Sequence, residues 1–391
     1  MSEIRLRLIS YTSGLDPCGV ASYQRHLTAA LREFADITTV RLSAERTLGA
    51  DLPALRKRRA DIVAAANMSQ GFDGALIDFT DTFFNGSRPG EALFPLFLRN
   101  LNCPAVVLLH ELPGRTDNPE VLGGPTSKLV QRLTHLAFAR RDSGGRSWAG
   151  FVNEAYFRQA DHLATHAEAL IQARTSDLPP ERLHLLPTPA YPLPWPAAER
   201  HDLDAKYGLV GKRVCVLFGF PQPSKGFDRA VAALPYLPED VVVLQIGDAP
   251  RCADEVAKLT AQAAELGVGG RFLRSGAVDD ESLAILLHRA DLGLVPFRHV
   301  HQSSSVGHMI GAGLPIVAHR IAALEAIRRD GGGILFAADH PRVLAAAILN
   351  LLEDDEKRQE FALRNAEYTA KYSFRGVALY LLHLFGRSFQ P

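Results

Sequence analysis

The sequence predicts an α/β protein built from two doubly wound, Rossmann-like halves facing each other across a cleft. Three observations predict it. Short apolar runs alternate with helical stretches of about 3.6-residue period in both halves. The order that opens the chain, strand then glycine-bearing loop then helix, restarts near residue 214. Between the halves lies LLPTPAYPLPWPAAER, with prolines at 187, 189, 192, 194 and 196. Proline at that density sustains neither helix nor central strand, so this is a stiff linker.

In the first half the expected strands are Ile4–Ile9, Ile37–Leu42, Ala75–Asp78, Ala105–Leu109 and His162–Thr165. They are short and apolar, as parallel strands buried on both faces are. The first leads into a loop, Ser10–Cys18, and a helix whose apolar face carries Val20, Tyr23, Leu27, Leu31 and Phe34. The second half has Val214–Phe218, the loop GFPQPSKG and a helix from Phe227, then Val241–Ile246, Phe272–Arg274, Leu292–Val295, Ile316–Ala318 and Ile334–Phe336. Amphipathic helices follow from about Pro341, the last carrying Val377, Leu381 and Leu384. The division that results is a first domain over 1–190, a linker over 191–204, a second domain over 205–370 and a closing segment over 371–391.

Composition narrows the class. A chain of 391 residues with 47% hydrophobic content holds two or three packed domains. Lysine plus arginine number 43 and so do aspartate plus glutamate, so no global field draws nucleic acid. The opening MSEIRLRLIS lacks the apolar run of a signal peptide, and no stretch reaches the ~20 apolar residues of a membrane span. Cys18, Cys103, Cys215 and Cys252 have no C-x-x-C spacing and read as reduced thiols, so a cytoplasmic protein without a zinc site is expected. Two basic stretches, LRKRR at 55–59 and Lys128–Arg146, read first as solvated helix faces. They leave room for peripheral contact with an anionic acceptor or the inner face of a membrane.

Ligands of doubly wound sheets sit at the carboxyl ends of the strands, and the candidate chemistry lies there. The richest stretch is ADLGLVPFRHVHQSSSVGHMIGAGLPIVAH, from Ala290 to His319. It reads as a buried strand over Leu292–Phe297, a polar turn with Ser303, Ser304 and Ser305, and a small-residue helix to Gly313. Pro315 stops the helix before the next strand. A helix start after a strand offers free N–H groups and a positive dipole end to a phosphate, and serines there can cap and donate. The same pieces also fit an ordinary capped βαβ unit. Lys225, just before Gly226 at the start of the helix from Phe227, would neutralise a phosphate. His110 and Glu111 end the fourth strand, where an imidazole can meet a sugar hydroxyl. His299, His301 and His308 lack the carboxylate or cysteine that would complete a metal site, so no metal is expected. Gly14 and Gly19 do not have G-x-G-x-x-G spacing, and a dinucleotide fingerprint is absent.

These pieces in this order resemble the family 4 retaining glycosyltransferases of the GT-B fold, over nearly the whole chain. The glycine loop after the first strand is SGLDPCGVASYQRHLTAAL, and the strand-end histidine is His110. The family's G-R-x-x-x-x-K-G loop is GFPQPSKG. Its E-x7-E-A-M-A-x-G-x-P-V-V pattern is VHQSSSVGHMIGAGLPIVA. Its later glutamate is Glu325, and Tyr372, Ser373 and Phe374 precede the last helix, which in the family crosses back to the first domain. The chain departs from the pattern at three places: Phe220 stands for the loop arginine, and Val300 and His308 stand for the two glutamates.

The resemblance implies a cytoplasmic, metal-independent transferase that moves a sugar from a nucleotide-diphosphate sugar and retains its anomeric configuration. The acceptor is open among glycan, lipid-linked glycan, small molecule and protein. It implies catalytic roles for His110 and Lys225. Donor contacts would come from Gly19, Gly219, Arg298, Gln302, Ser303, Ser304, Ser305, His308 and Glu325, with His308 at the ribose. With both glutamates replaced, two alternatives remain: a non-catalytic GT-B protein that binds a nucleotide sugar or supports a partner, or another GT-B enzyme such as an epimerase or a phosphorylase.

Overall fold

The computed structural model describes residues 5–13, 19–42, 52–79, 93–110, 157–172, 178–191, 193, 201–248 and 252–386. The chain divides into two compact units. Unit 1 comprises residues 1–187 together with 375–391, and unit 2 comprises 188–374.

Unit 1 holds a six-stranded parallel sheet: β1 (Leu6–Ser13), β2 (Ala35–Leu42), β3 (Gly74–Phe79), β4 (Ala105–Leu109), β5 (His162–Thr165) and β6 (Leu183–Leu185). The order is β2-β1-β3-β4-β5-β6, so the direction of winding reverses between β1 and β3, where such sheets take ligands. The central strands are apolar because both faces are covered; every residue of β3 and β4 is buried. On one side Tyr11, Phe79, Phe94, Phe97 and Phe157 pack as a largely edge-to-face aromatic cluster, with ring centroids 4.7–5.1 Å apart.

Unit 2 repeats the plan with β7 (Arg213–Phe218), β8 (Val241–Ile246), β9 (Phe272–Gly276), β10 (Leu292–Val295), β11 (Ile316–His319) and β12 (Ile334–Ala337). All are parallel, in the order β12-β11-β10-β7-β8-β9. This is the Rossmann order, and its reversal lies between β7 and β10. The helix Ser304–Gly311 follows β10, and residues 189–191 run across it. A side chain at Gly311 would run into the Tyr191 backbone, so the small residues of this helix are a condition of the close approach. Tyr191 N–H donates to Gly307 O (3.1 Å) and Ala190 N–H to Tyr372 O (2.9 Å), which ties that strip down.

Several boundaries differ from the sequence reading. The first strand continues through Ser10–Ser13, which the sequence reading places in the loop; alternate residues there, Ser10 and Thr12, are polar yet buried. The helix after β10 ends at Gly311, because Gly313 adopts φ +70° and closes it. Residues 201–204, assigned to the linker, begin the helix His201–Tyr207. β6 was not anticipated: three residues at a sheet edge, LHL, carry too little pattern. Gly14, Glu111 and the segment Lys128–Arg146 lie outside the described residues. Among the described residues no helix is long and apolar enough to cross a membrane.

Candidate functional site

In unit 2 the loops after β7 and β10 meet at the point where the sheet order reverses. Lys225 ends a single tight turn, Pro223–Lys225. Gly226 follows at φ +61°, and any side chain on it would strike the Pro296 carbonyl. The K-G pair is thus set by geometry: the glycine lets the loop press onto the end of β10, and the lysine then reaches across. Lys225 Nζ donates to Ser303 Oγ and to Ser305 Oγ, each at 3.2 Å, and the two hydroxyls lie 2.8 Å apart. The ammonium also sits 4.0 Å from the centroid of the Phe297 ring.

No carboxylate among the described residues pairs with Lys225. Burial pushes its ammonium down to about 7. An ammonium carries three donors and two are committed to the serines. Ser303 occupies the N-cap position, but its hydroxyl makes no capping bond. That corrects the expected cap: the hydroxyl is held by the lysine instead. The first N–H groups of the helix have no intrahelical carbonyl to meet. Cation, hydroxyls and helix start therefore converge on one small region, a cradle for an anion.

The remaining expected residues of unit 2 divide. Gly219, at φ +120°, lies beside the cluster, since a Cβ there would be 3.5 Å from Ser305 Oγ and 4.0 Å from Lys225 Nζ. Ser304 is half-buried on the first turn, and Gln302 half-buried just before it. His308 is buried and donates from Nδ1 to Ser304 O at 2.7 Å. Its ring stacks on Tyr191 with centroids 3.9 Å apart, so it braces the helix.

Arg298 is spent differently. Its guanidinium makes a forked pair with Asp228, at 2.7 and 2.6 Å, and donates to Pro223 O at 2.8 Å. Burial works against the Asp228 charge, but these Arg298 bonds prevail and hold the carboxyl below its ordinary range. Arg298 stitches the Lys225 loop to the exit of β10 and acts on the site through that loop. Glu325 is exposed on the helix Ala322–Arg329 and pairs with Arg320 at 2.8 Å.

In unit 1, His110 follows directly on β4. Its Nε2 lies 2.8 Å from Oδ1 of Asp78, which is fully buried on β3. Tyr23 presents its ring edgewise to His110, with centroids 5.1 Å apart, and its hydroxyl is 2.7 Å from His166 Nε2. His166 Nδ1 donates to Pro187 O at 2.7 Å. Burial, helped by His110, pushes the His166 imidazole down to about 3. Sequence reasoning missed Asp78, Tyr23 and His166 as a group. The available signal was the acid in the run LIDF, a charge inside an otherwise apolar strand. Gly19 is exposed at the first turn of the helix Gly19–Leu31. Among the described residues no three His, Cys, Asp or Glu side chains converge as a metal site.

Residues 212–354 match the family model described as glycosyl transferases group 1. The chain is 28% identical over 230 residues to a D-inositol 3-phosphate glycosyltransferase of Xylanimonas cellulosilytica, covering 57% of this chain and 55% of the relative. It is 31% identical over 186 residues to a phosphatidyl-myo-inositol mannosyltransferase of Mycolicibacterium smegmatis, covering 46% of each. The chain thus spans about half the length of the curated relatives it matches. Among solved structures, Anabaena HepE in complex with UDP-glucose superposes with a TM-score of 0.72 at 16% identity, over 98% of this chain and 100% of that one. Sucrose-phosphate synthase from Thermosynechococcus elongatus gives 0.70 at 16% identity, over 98% of each chain. These likenesses establish the fold, two Rossmann-like units in one chain.

Proposed function

We propose that the chain is a glycosyltransferase that takes its sugar from a nucleoside-diphosphate donor. The observation that carries this reading is the Lys225–Ser303–Ser305 cradle, built at the topological switch point of the unit that matches group 1 glycosyl transferases. The neighbouring fold of Anabaena HepE was crystallised with UDP-glucose, which supports a nucleotide sugar as donor class.

The chemistry follows from charge. Breaking the bond between the anomeric carbon and the diphosphate leaves negative charge on the departing oxygen. Groups already aimed at that charge stabilise the transition state more than the ground state. Lys225, the serine hydroxyls and the helix N–H groups are such groups. With positive charge supplied in this way, the reaction proceeds without a metal. Resemblance to the family 4 enzymes supports retention: the acceptor oxygen bonds to the face the diphosphate leaves, and its proton departs with the diphosphate. His110 is assigned to a sugar hydroxyl. His308 is assigned to the ribose.

A panel of nucleotide sugars tests the donor. A true donor at 100 times its dissociation constant raises stability by about 2.7 kcal/mol, and the shift should vanish in Lys225→Ala. Transfer should persist in a chelator, and the anomeric proton of the product should keep the donor's configuration by NMR. Stabilisation by a donor with no transfer to any hydroxyl acceptor would instead mark a binding protein. Loss of transfer on chelation, restored by a divalent ion, would overturn the metal-free mechanism.

A further inference from the structure

We propose that Asp78 is a positioning residue: a buried carboxylate that fixes which ring nitrogen of His110 carries the proton. The inference rests on reading His110 as a sugar-contacting group and adds what orients it.

Asp78 is 0% exposed, and its neighbours on β3, Leu76, Ile77 and Phe79, are buried and apolar. It pairs in register with Leu108 on β4. His110 lies two residues further on, so sheet alternation brings carboxylate and imidazole to the same face. Oδ1 accepts from His110 Nε2 at 2.8 Å. Oδ2 is buried and has no hydrogen-bond partner among the described residues. A carboxylate kept in such a place is costly, and an apolar residue of similar volume would serve the strand better. Among the described residues the pair with His110 is the hydrogen bond this side chain makes, so the acid is explained by the histidine.

The other side of the imidazole is also held. Tyr23 meets the ring edgewise, and the Tyr23 hydroxyl is anchored on His166. His166 gives its Nδ1 proton to the Pro187 carbonyl, so its Nε2 accepts from Tyr23. The protons on these three contacts are therefore assigned. With Nε2–H committed to Asp78, Nδ1 of neutral His110 has the character of an acceptor. The carboxylate strengthens that acceptance, as a carboxylate behind an imidazole does in other enzymes.

The test reads the tautomer directly. Protein labelled with 15N-histidine gives long-range proton–nitrogen spectra, and the spectrum of His110→Gln assigns the His110 signals. Wild type at pH 8 should show His110 protonated at Nε2 and bare at Nδ1. Asp78→Leu removes the acceptor while keeping the strand apolar. It should convert His110 to a mixture of tautomers and lower kcat about 100-fold, with the donor KM little changed. Asp78→Asn keeps the shape but carries no charge and can donate as well as accept, so it should restore only part of both. A wild-type His110 protonated at Nδ1 would overturn the proposal, even if Asp78→Leu failed to fold. So would a folded Asp78→Leu with the wild-type tautomer and turnover. The tautomer is read without substrate: the Nε2–H form in a protein that transfers no sugar would uphold Asp78 and overturn the glycosyltransferase reading alone.

Discussion

Lys225 is the centre of the site proposed in unit 2, and its surroundings make two outcomes expected. Lys225→Ala should lower turnover by ~100–1000-fold, the scale of losing one preorganised donor to a developing anion. Steady-state kinetics on protein with an unchanged unfolding midpoint would check this. The second outcome concerns pH. Burial holds the free ammonium near 7, against an ordinary value of 10.5. A bound diphosphate favours the charged form, so donor binding takes up a proton above neutrality. Affinity for an intact nucleotide sugar, whose diphosphate bridge does not titrate there, should fall as pH rises from 7 to 9. Lys225→Arg, always charged, should flatten that slope. For stability the sign is opposite. The unfolded chain binds the lysine proton more tightly, so this residue's contribution to stability rises with pH between about 7 and 10.5. Calorimetry in buffers of different ionisation enthalpy would read the proton uptake.

The helix Ser304–Gly311 belongs at once to the core and to the site. Its start faces Lys225, its side is covered by residues 189–191, and His308 is clamped between Ser304 O and the Tyr191 ring. Gly311→Ala drives a methyl into the Tyr191 backbone and should cost ~1–3 kcal/mol, the usual range for overpacking. Urea titration would measure it, and a neutral result would mean that the strip yields freely. Much of this element was legible in the sequence. Strand, serines, small residues and proline gave the βαβ reading, and the K-G loop gave the lysine. What stayed hidden depends on partners far along the chain. Arg298 reads as a ligand until Asp228, 70 residues earlier, claims it. Ser303 reads as a cap until Lys225, 78 residues earlier, takes its hydroxyl. Asp78 reads as one acid in an apolar run until His110 arrives from the next strand.

At the scale of the whole molecule, two repeated sheets follow from parallel strands that must be buried on both faces, and their apolar runs were plain in the sequence. The ownership of the last helix, Phe374–Leu384, was not, because the contacts that tie it to unit 1 are to residues more than 190 positions away. Arg375 pairs with Glu33 at 3.2 Å and covers Phe34, Tyr380 hydrogen-bonds His184 at 3.0 Å, and Phe385 packs against Gly74. Ending the chain at Phe374 should therefore loosen unit 1 and spare unit 2. Hydrogen exchange should show faster exchange in β1, β3 and β6 peptides with β7–β12 unchanged; equal loss in both would refute the division. The same connectivity sets an order of events at the ribosome. Unit 2 is encoded as one uninterrupted stretch, while unit 1 waits for its final segment until everything after Pro187 has been made. At ~5–20 residues per second the delay is roughly 10–40 s. During it the nascent first sheet stands without its closing helix, an interval in which chaperones would find it, and the second-born half of the protein finishes first.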